Sequence, residues 1–234
     1  MKSRPFLLAL ALSSFSMNSF GFLGFGGTRW TEDALLHNGA VLLVERNVER
    51  GGRHEIGQKP PYREQRLQFK HSATGEKVIW EDLNAKDIGT ASFLPMLVDI
   101  VANTPYVVVT PMGCLSYNKW GRPNPPYVVF RYKGERWTRI PLSDLPKEII
   151  IPNLISSAPD IEIERLGKTH VTVDDVKRAN SRFKQPEYKS ILRTEVPAGS
   201  YGSSVNCEEM VYYKGAWVGP GDSIGKRMMD RRSK

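Results

Sequence analysis

The chain has 234 residues, 40% of them hydrophobic and 25% charged, which is the balance of an ordinary globular protein with length for one large β domain or two small ones. The net charge is +8, but Lys2 and Arg4 lie at one end and Lys226, Arg227, Arg231, Arg232 and Lys234 at the other, against Asp230. Charge held at solvated ends argues against a nucleic-acid-binding face.

Residues 1–21 read as a secretory signal. Lys2 and Arg4 form a positive start, Phe6-Leu-Leu-Ala-Leu-Ala-Leu12 a short apolar run, and small residues follow, with cleavage expected after Ser16 or Gly21. The run is too short to span a bilayer, and no cysteine near it invites a lipid anchor. The expectation is a periplasmic or secreted protein with no membrane span in its mature chain; the alternative is an uncleaved N-terminal anchor. Residues 22–29 read as a Gly/Phe linker.

Strand signals then follow one another. Gly39–Arg46 is apolar after the Asn38-Gly39 turn, and Gln65–Lys70 alternates with period two. Lys77–Trp80 is its hairpin partner. Phe93–Val101 is apolar with a bulge or entry kink at Pro95. Val107, Val108 and Val109 form a β-branched run without polar alternation, the pattern of a strand covered on both faces or one inside a sandwich. Tyr127–Tyr132 and Arg136–Ile140 make a hairpin around Lys133-Gly-Glu135.

Between the valine strand and that hairpin lies Asn118-Lys-Trp-Gly-Arg-Pro-Asn-Pro-Pro-Tyr127. Its prolines make it stiff and keep it out of a sheet interior. A stiff loop carrying Asn118, Lys119, Trp120, Arg122 and Asn124 is a candidate recognition site; the plainer alternative has Trp120 folded back as a lid on the core.

The texture changes near Pro152. Thr172 is a natural N-cap for a helix reaching Phe183, with Asp174 and Asp175 in its first turn, and Pro186–Arg193 carries a possible short second helix. Met210–Tyr213 and Ala216–Val218 make a last hairpin around Lys214-Gly215. The fold class is therefore mainly β: an antiparallel β-sandwich or multi-sheet domain over 30–152, then a small helical segment and terminal hairpin over 153–218 packed on it, and a basic tail over 219–234.

Trp30-Thr-Glu-Asp33, Leu36-His-Asn-Gly39, Gly51-Gly-Arg-His-Glu-Ile-Gly57 and the proline loop resemble recurring segments of an uncharacterised family of bacterial exported proteins. The resemblance covers Trp30 to Arg193, the loop being its most specific part, and implies no established activity, substrate or fold.

Chemistry-bearing motifs are sparse. Cys114 and Cys207, an even pair in an exported chain, point to a disulfide closing a loop of about 90 residues, against two separate buried thiols. His54-Glu55 starts like a zinc-protease helix but lacks the second histidine, so no metal site is expected; the pair is the least implausible acid–base couple. No phosphate loop, dinucleotide fingerprint or serine elbow occurs, and no cofactor is expected. Arg131, Arg136 and Arg139 fit a solvated sheet face better than an anionic partner. The functional expectation is a non-enzymatic envelope binding module using the Trp120/Arg122 loop, with an unknown envelope or extracellular protein or glycan as partner and no nucleic acid. The alternative is an exported hydrolase using His54 and Glu55.

Overall fold

The computed structural model describes residues 27–232; the expected signal over 1–21 and most of the expected linker lie outside the described residues. Strands β1 (Thr28–Leu35), β2 (Val41–Arg50), β3 (Tyr62–Lys70) and β4 (Lys77–Asp82) form one antiparallel meander. The short β9 (His170–Val171) joins it in parallel beside β1, giving the order β4-β3-β2-β1-β9. Strands β5 (Phe93–Val101), β6 (Thr104–Pro111), β7 (Val128–Lys133) and β8 (Arg136–Ile140) form a second antiparallel sheet in chain order. A third pairs β10 (Val211–Tyr213) with β11 (Ala216–Val218).

The two main sheets share one core. Leu42, Val44, Leu67, Phe69, Val78 and Trp80 of the first pack with Phe93, Val98, Ile100, Val107, Val109 and Val128 of the second. Period-two patterning sends these side chains inward and leaves Val41, Leu43 and Glu45 on a solvated outer face. The second sheet is buried on both faces: Met96, Leu97, Val108, Val129 and Ile140 point away from the sandwich and are covered by Leu145, Ile149 and Ile191. That double cover is why the valine run carries no polar alternation. A third cluster joins Trp30, Val48 and Tyr62 to Ile155, Ile163, Val171 and Val176, so helices α2 (Pro159–Leu166) and α3 (Val173–Asn180) close the end of the first sheet.

Two charged groups enter the core with partners, whereas the wholly buried Glu187 has none for either carboxylate oxygen among the described residues. Glu32 and Arg46, almost wholly buried, meet at 2.9 Å. Trp30 Nε1 donates to Glu32 (2.6 Å), the Ile155 N–H to its other oxygen (3.0 Å), and Arg46 to the Ile155 carbonyl (2.8 Å). These contacts meet much of what the buried pair gives up in leaving water, though Arg46 Nε has no hydrogen-bond partner among the described residues. The Asp160 carboxylate is likewise gripped by both arms of Arg50 (2.6 and 2.9 Å) and by the Tyr62 hydroxyl.

Several elements differ from the sequence reading. The linker ends earlier than residue 29, because Thr28 and Arg29 already pair with Val48 and Asn47. β2 continues to Arg50, its charges being the ones that find buried partners. α3 has the expected Thr172 cap, as a full capping box with Asp175, but stops at Asn180. α2 and β9 lie in a stretch read only as helical segment. The expected 219–234 tail contains helix α4 (Ser223–Arg232), started by Asp222, whose carboxylate accepts the Gly225 N–H (2.8 Å). Both Trp-containing hairpins turn on two residues with positive φ, Gly134-Glu135 and Lys214-Gly215, the geometry whose twist matches the flanking strands.

Candidate functional site

The proline loop is the first place to look, and most of its polar side chains are already paired within the chain, the buried Trp120 Nε1 being without a partner among the described residues. After β6 the chain forms the seven-residue helix α1 (Gly113–Lys119), whose last two residues begin the stretch expected to be loop. It leaves through Gly121 and Arg122, both at positive φ, and a cis Asn124–Pro125 peptide. Arg122 donates to the Asn118 side chain (3.0 Å) and to the carbonyls of Cys207 (2.7 Å) and Glu208 (3.0 Å). Asn118 donates to the Cys114 and Glu208 carbonyls (2.9 Å each) and accepts the Met210 N–H (2.9 Å). Asn124 exchanges two hydrogen bonds with the Val196 backbone (2.7 and 3.0 Å). Lys119 pairs with Asp87, whose carbonyl accepts Trp217 Nε1 (2.8 Å).

Trp120 faces the core, its ring 4.6 Å from Phe93 and beneath the Arg139 guanidinium. Cys114 and Cys207 form the disulfide, 93 residues apart. The loop thus recognises the chain's own C-terminal arm, residues 196–232.

His54 and Glu55 stand on an exposed loop. His54 Nδ1 lies 3.1 Å from the Gly52 carbonyl, and Glu55 accepts from Gln58 (2.9 Å). Neither residue lines any of five clefts formed by the described residues. Among the described residues no group of three or more His, Cys, Asp or Glu is placed to hold a metal ion.

A different constellation forms a cleft of about 390 Å³. The end of β1 supplies Asp33 and Leu35, the following turn Leu36 and His37, and β5 supplies Asp99. The segment after the second sheet brings Glu148, Ile150 and Ile151, and α3 brings Val173, Val176 and Lys177. Asn153 fixes that segment by standing in for a neighbouring strand. Its amide accepts the Val98 N–H (3.0 Å) and donates to the carbonyls of Val98 (2.8 Å) and Leu35 (3.0 Å), bridging both sheets.

The turn at Asn38-Gly39 needs positive φ at Gly39 and is closed by the Asn38 side chain on the Ala40 N–H (3.0 Å). It delivers His37 to Asp99, which takes the His37 backbone N–H (2.9 Å) and lies 2.8 Å from ring Nδ1. The ring is thereby oriented, and Nε2 has no partner among the described residues. Aliphatic side chains dominate the remaining wall, and Ile150 and Ile151 are 47% and 62% exposed. The lining contains no serine, threonine or cysteine to act as a nucleophile. What the arrangement offers is apolar contact with one oriented imidazole and a Glu148/Lys177 rim.

No protein-family model, no curated protein and no solved structure matches this chain.

Sequence reading passed over this cleft. One signal was present: Asp99 is the lone charge in the apolar run Phe93–Val101, and a charge there needs a partner. That the partner is His37, 62 residues earlier, follows only from sheet packing.

Proposed function

We propose that this protein is an exported, non-enzymatic binding module of the cell envelope, and that its ligand-contacting surface is the cleft of Leu36, Ile150, Ile151 and Val176. The observation that carries the reading is the pair of exposed isoleucines over an otherwise aliphatic wall, beside a histidine held ready by Asp99. Apolar surface kept open at a concave, rigidly built place is the usual mark of a binding site. The occupant is an apolar group presented by an envelope or extracellular protein, with a polar atom reaching His37. A glycan fits less well against so aliphatic a wall. Export is supported by the leader-like residues 1–21 and by a disulfide that an oxidising compartment favours. No helix among the described residues is long and apolar enough to cross a membrane.

The test is fluorescence of N-phenylnaphthylamine, a neutral apolar dye, with the purified protein. Saturable enhancement is expected, and Ile151→Asp is expected to remove it. Because Ile151 is 62% exposed, that substitution should change stability by no more than about 0.5 kcal/mol. Equal dye binding by the parent and by Ile151→Asp would refute the cleft as the site.

A further inference from the structure

Helix α4 carries a stripe that the other described residues leave uncovered. Lys226, Met229 and Asp230 are its half-buried positions. Asp230 accepts from the Tyr213 hydroxyl (2.8 Å) and pairs with Lys214 (2.6 Å), and Lys226 donates to the Pro220 carbonyl (2.6 Å). These contacts fasten the helix to the β10–β11 hairpin, which the disulfide and Arg122 fasten to the body. The opposite side presents Ile224, Arg227, Met228 and Arg231, all exposed. Their spacing of three, four and seven residues places them on one face. Ile224 is 68% and Met228 51% exposed, and Arg227 and Arg231 have no ion pair with a described residue.

Two guanidiniums four residues apart repel each other, and two large apolar side chains beside them gain nothing from water. Both costs disappear on a surface that has a negative layer over an apolar one. We propose that this stripe docks the protein on an anionic phospholipid surface, with Arg227 and Arg231 on headgroup phosphates and Ile224 and Met228 sunk at the acyl boundary. A nucleic acid meets the charge but offers no layer for the two apolar anchors. An acidic protein would need a groove fitted to this convex face, whereas a lipid surface accepts it as it stands. The inference does not rest on the cleft, which lies among other elements and needs no membrane.

The test is co-sedimentation of the full oxidised chain with phosphatidylcholine vesicles, with and without phosphatidylglycerol. Parent, Arg227→Gln/Arg231→Gln and Ile224→Ser/Met228→Ser proteins are compared. Any contribution from the apolar residues near the N-terminus is common to all three, so the differences report the stripe. The parent should prefer the anionic vesicles, with binding weakened by salt. Each arginine removed should lower partitioning about fivefold, so the double variant falls roughly 30-fold. The serine variant should lose binding even at low salt, with circular dichroism and melting temperature unchanged in both. Equal partitioning of parent and variants, or no preference for phosphatidylglycerol, would overturn the proposal. So would binding to polyglutamate or a DNA duplex that competes fully with anionic vesicles yet is indifferent to the Ile224→Ser/Met228→Ser change.

Discussion

Replacing Cys114 and Cys207 together by serine opens a loop that holds β7, β8, α2, β9 and α3. The bridged residues are 93 apart. On the chain-entropy account, closing a loop of that length removes about 16 cal/mol/K from the unfolded ensemble, or about 4.7 kcal/mol at room temperature. For a domain of this size one kcal/mol moves the melting temperature by about 2–4 °C, so the double variant should melt about 9–19 °C below the oxidised parent. Cys114 is exposed and Cys207 half-buried, so serine introduces no buried void that would blur the comparison. The assay is thermal unfolding followed by circular dichroism, with the reduced parent as a second sample. Reduced parent and double variant should agree, because both restore the same unfolded-state freedom. A fall of less than about 3 °C would refute the reasoning, since the bridge would then constrain an arm that frays before the sheets unfold rather than the cooperative unit.

Further outcomes follow from the same contacts. Arg122→Ala should cost about 2 kcal/mol, because it abandons the carbonyls of Cys207 and Glu208. Hydrogen exchange should quicken alike at Met210 and at the sheet amides that exchange through global unfolding; quickening confined to Met210 and its neighbours would mark an arm that opens separately and would contradict the reasoning. Trp120→Ala should cost about 3–5 kcal/mol in urea unfolding, since its ring fills space against Phe93 and Phe130; a loss below about 1 kcal/mol would make it a surface residue. Burial pushes the Asp82 carboxyl up to about 6, against the N–H groups of Ser92 and Phe93 and the charge of Lys119, which pull it down. A raised carboxyl contributes stability below its unfolded value, near 3.8, that is lost as pH rises to about 6. The difference between parent and Asp82→Asn should therefore change by about 3 kcal/mol across that window and stay flat above it; a flat difference throughout would refute the shift.

The strands were legible where the sequence has a single clean period. Gln65–Lys70 alternates, the valine run does not, and each pattern matches one-sided and two-sided cover respectively. The cysteine pair and the Thr172 cap were legible for the same reason: each rests on local or compositional logic. β9 was not, because two residues make no pattern and its partner β1 lies about 140 positions earlier. The proline loop is legible as special because Trp, Arg and Asn on a stiff backbone are suited to directed contacts. Sequence cannot say whether those contacts are with another molecule or with residues 196–210 of the same chain, and here the side chains of Arg122, Asn118 and Asn124 are met from within. The cleft was invisible because its walls come from four separated stretches, none unusual alone.

The Glu32–Arg46 pair also sets an order of events in the making of the molecule. A ribosome releases both charges early, while Ile155, which satisfies Glu32 and Arg46 through its N–H and carbonyl, lies 123 residues beyond Glu32. Until that residue arrives, closing the first sheet would strand two half-satisfied charges in an apolar interior, so the early strands gain little by docking on their own. The long separation between Glu32 and Ile155 thus ties completion of this buried polar cluster to chain that is made much later, so the cluster's full set of contacts belongs to the finished fold and not to its first sheet alone.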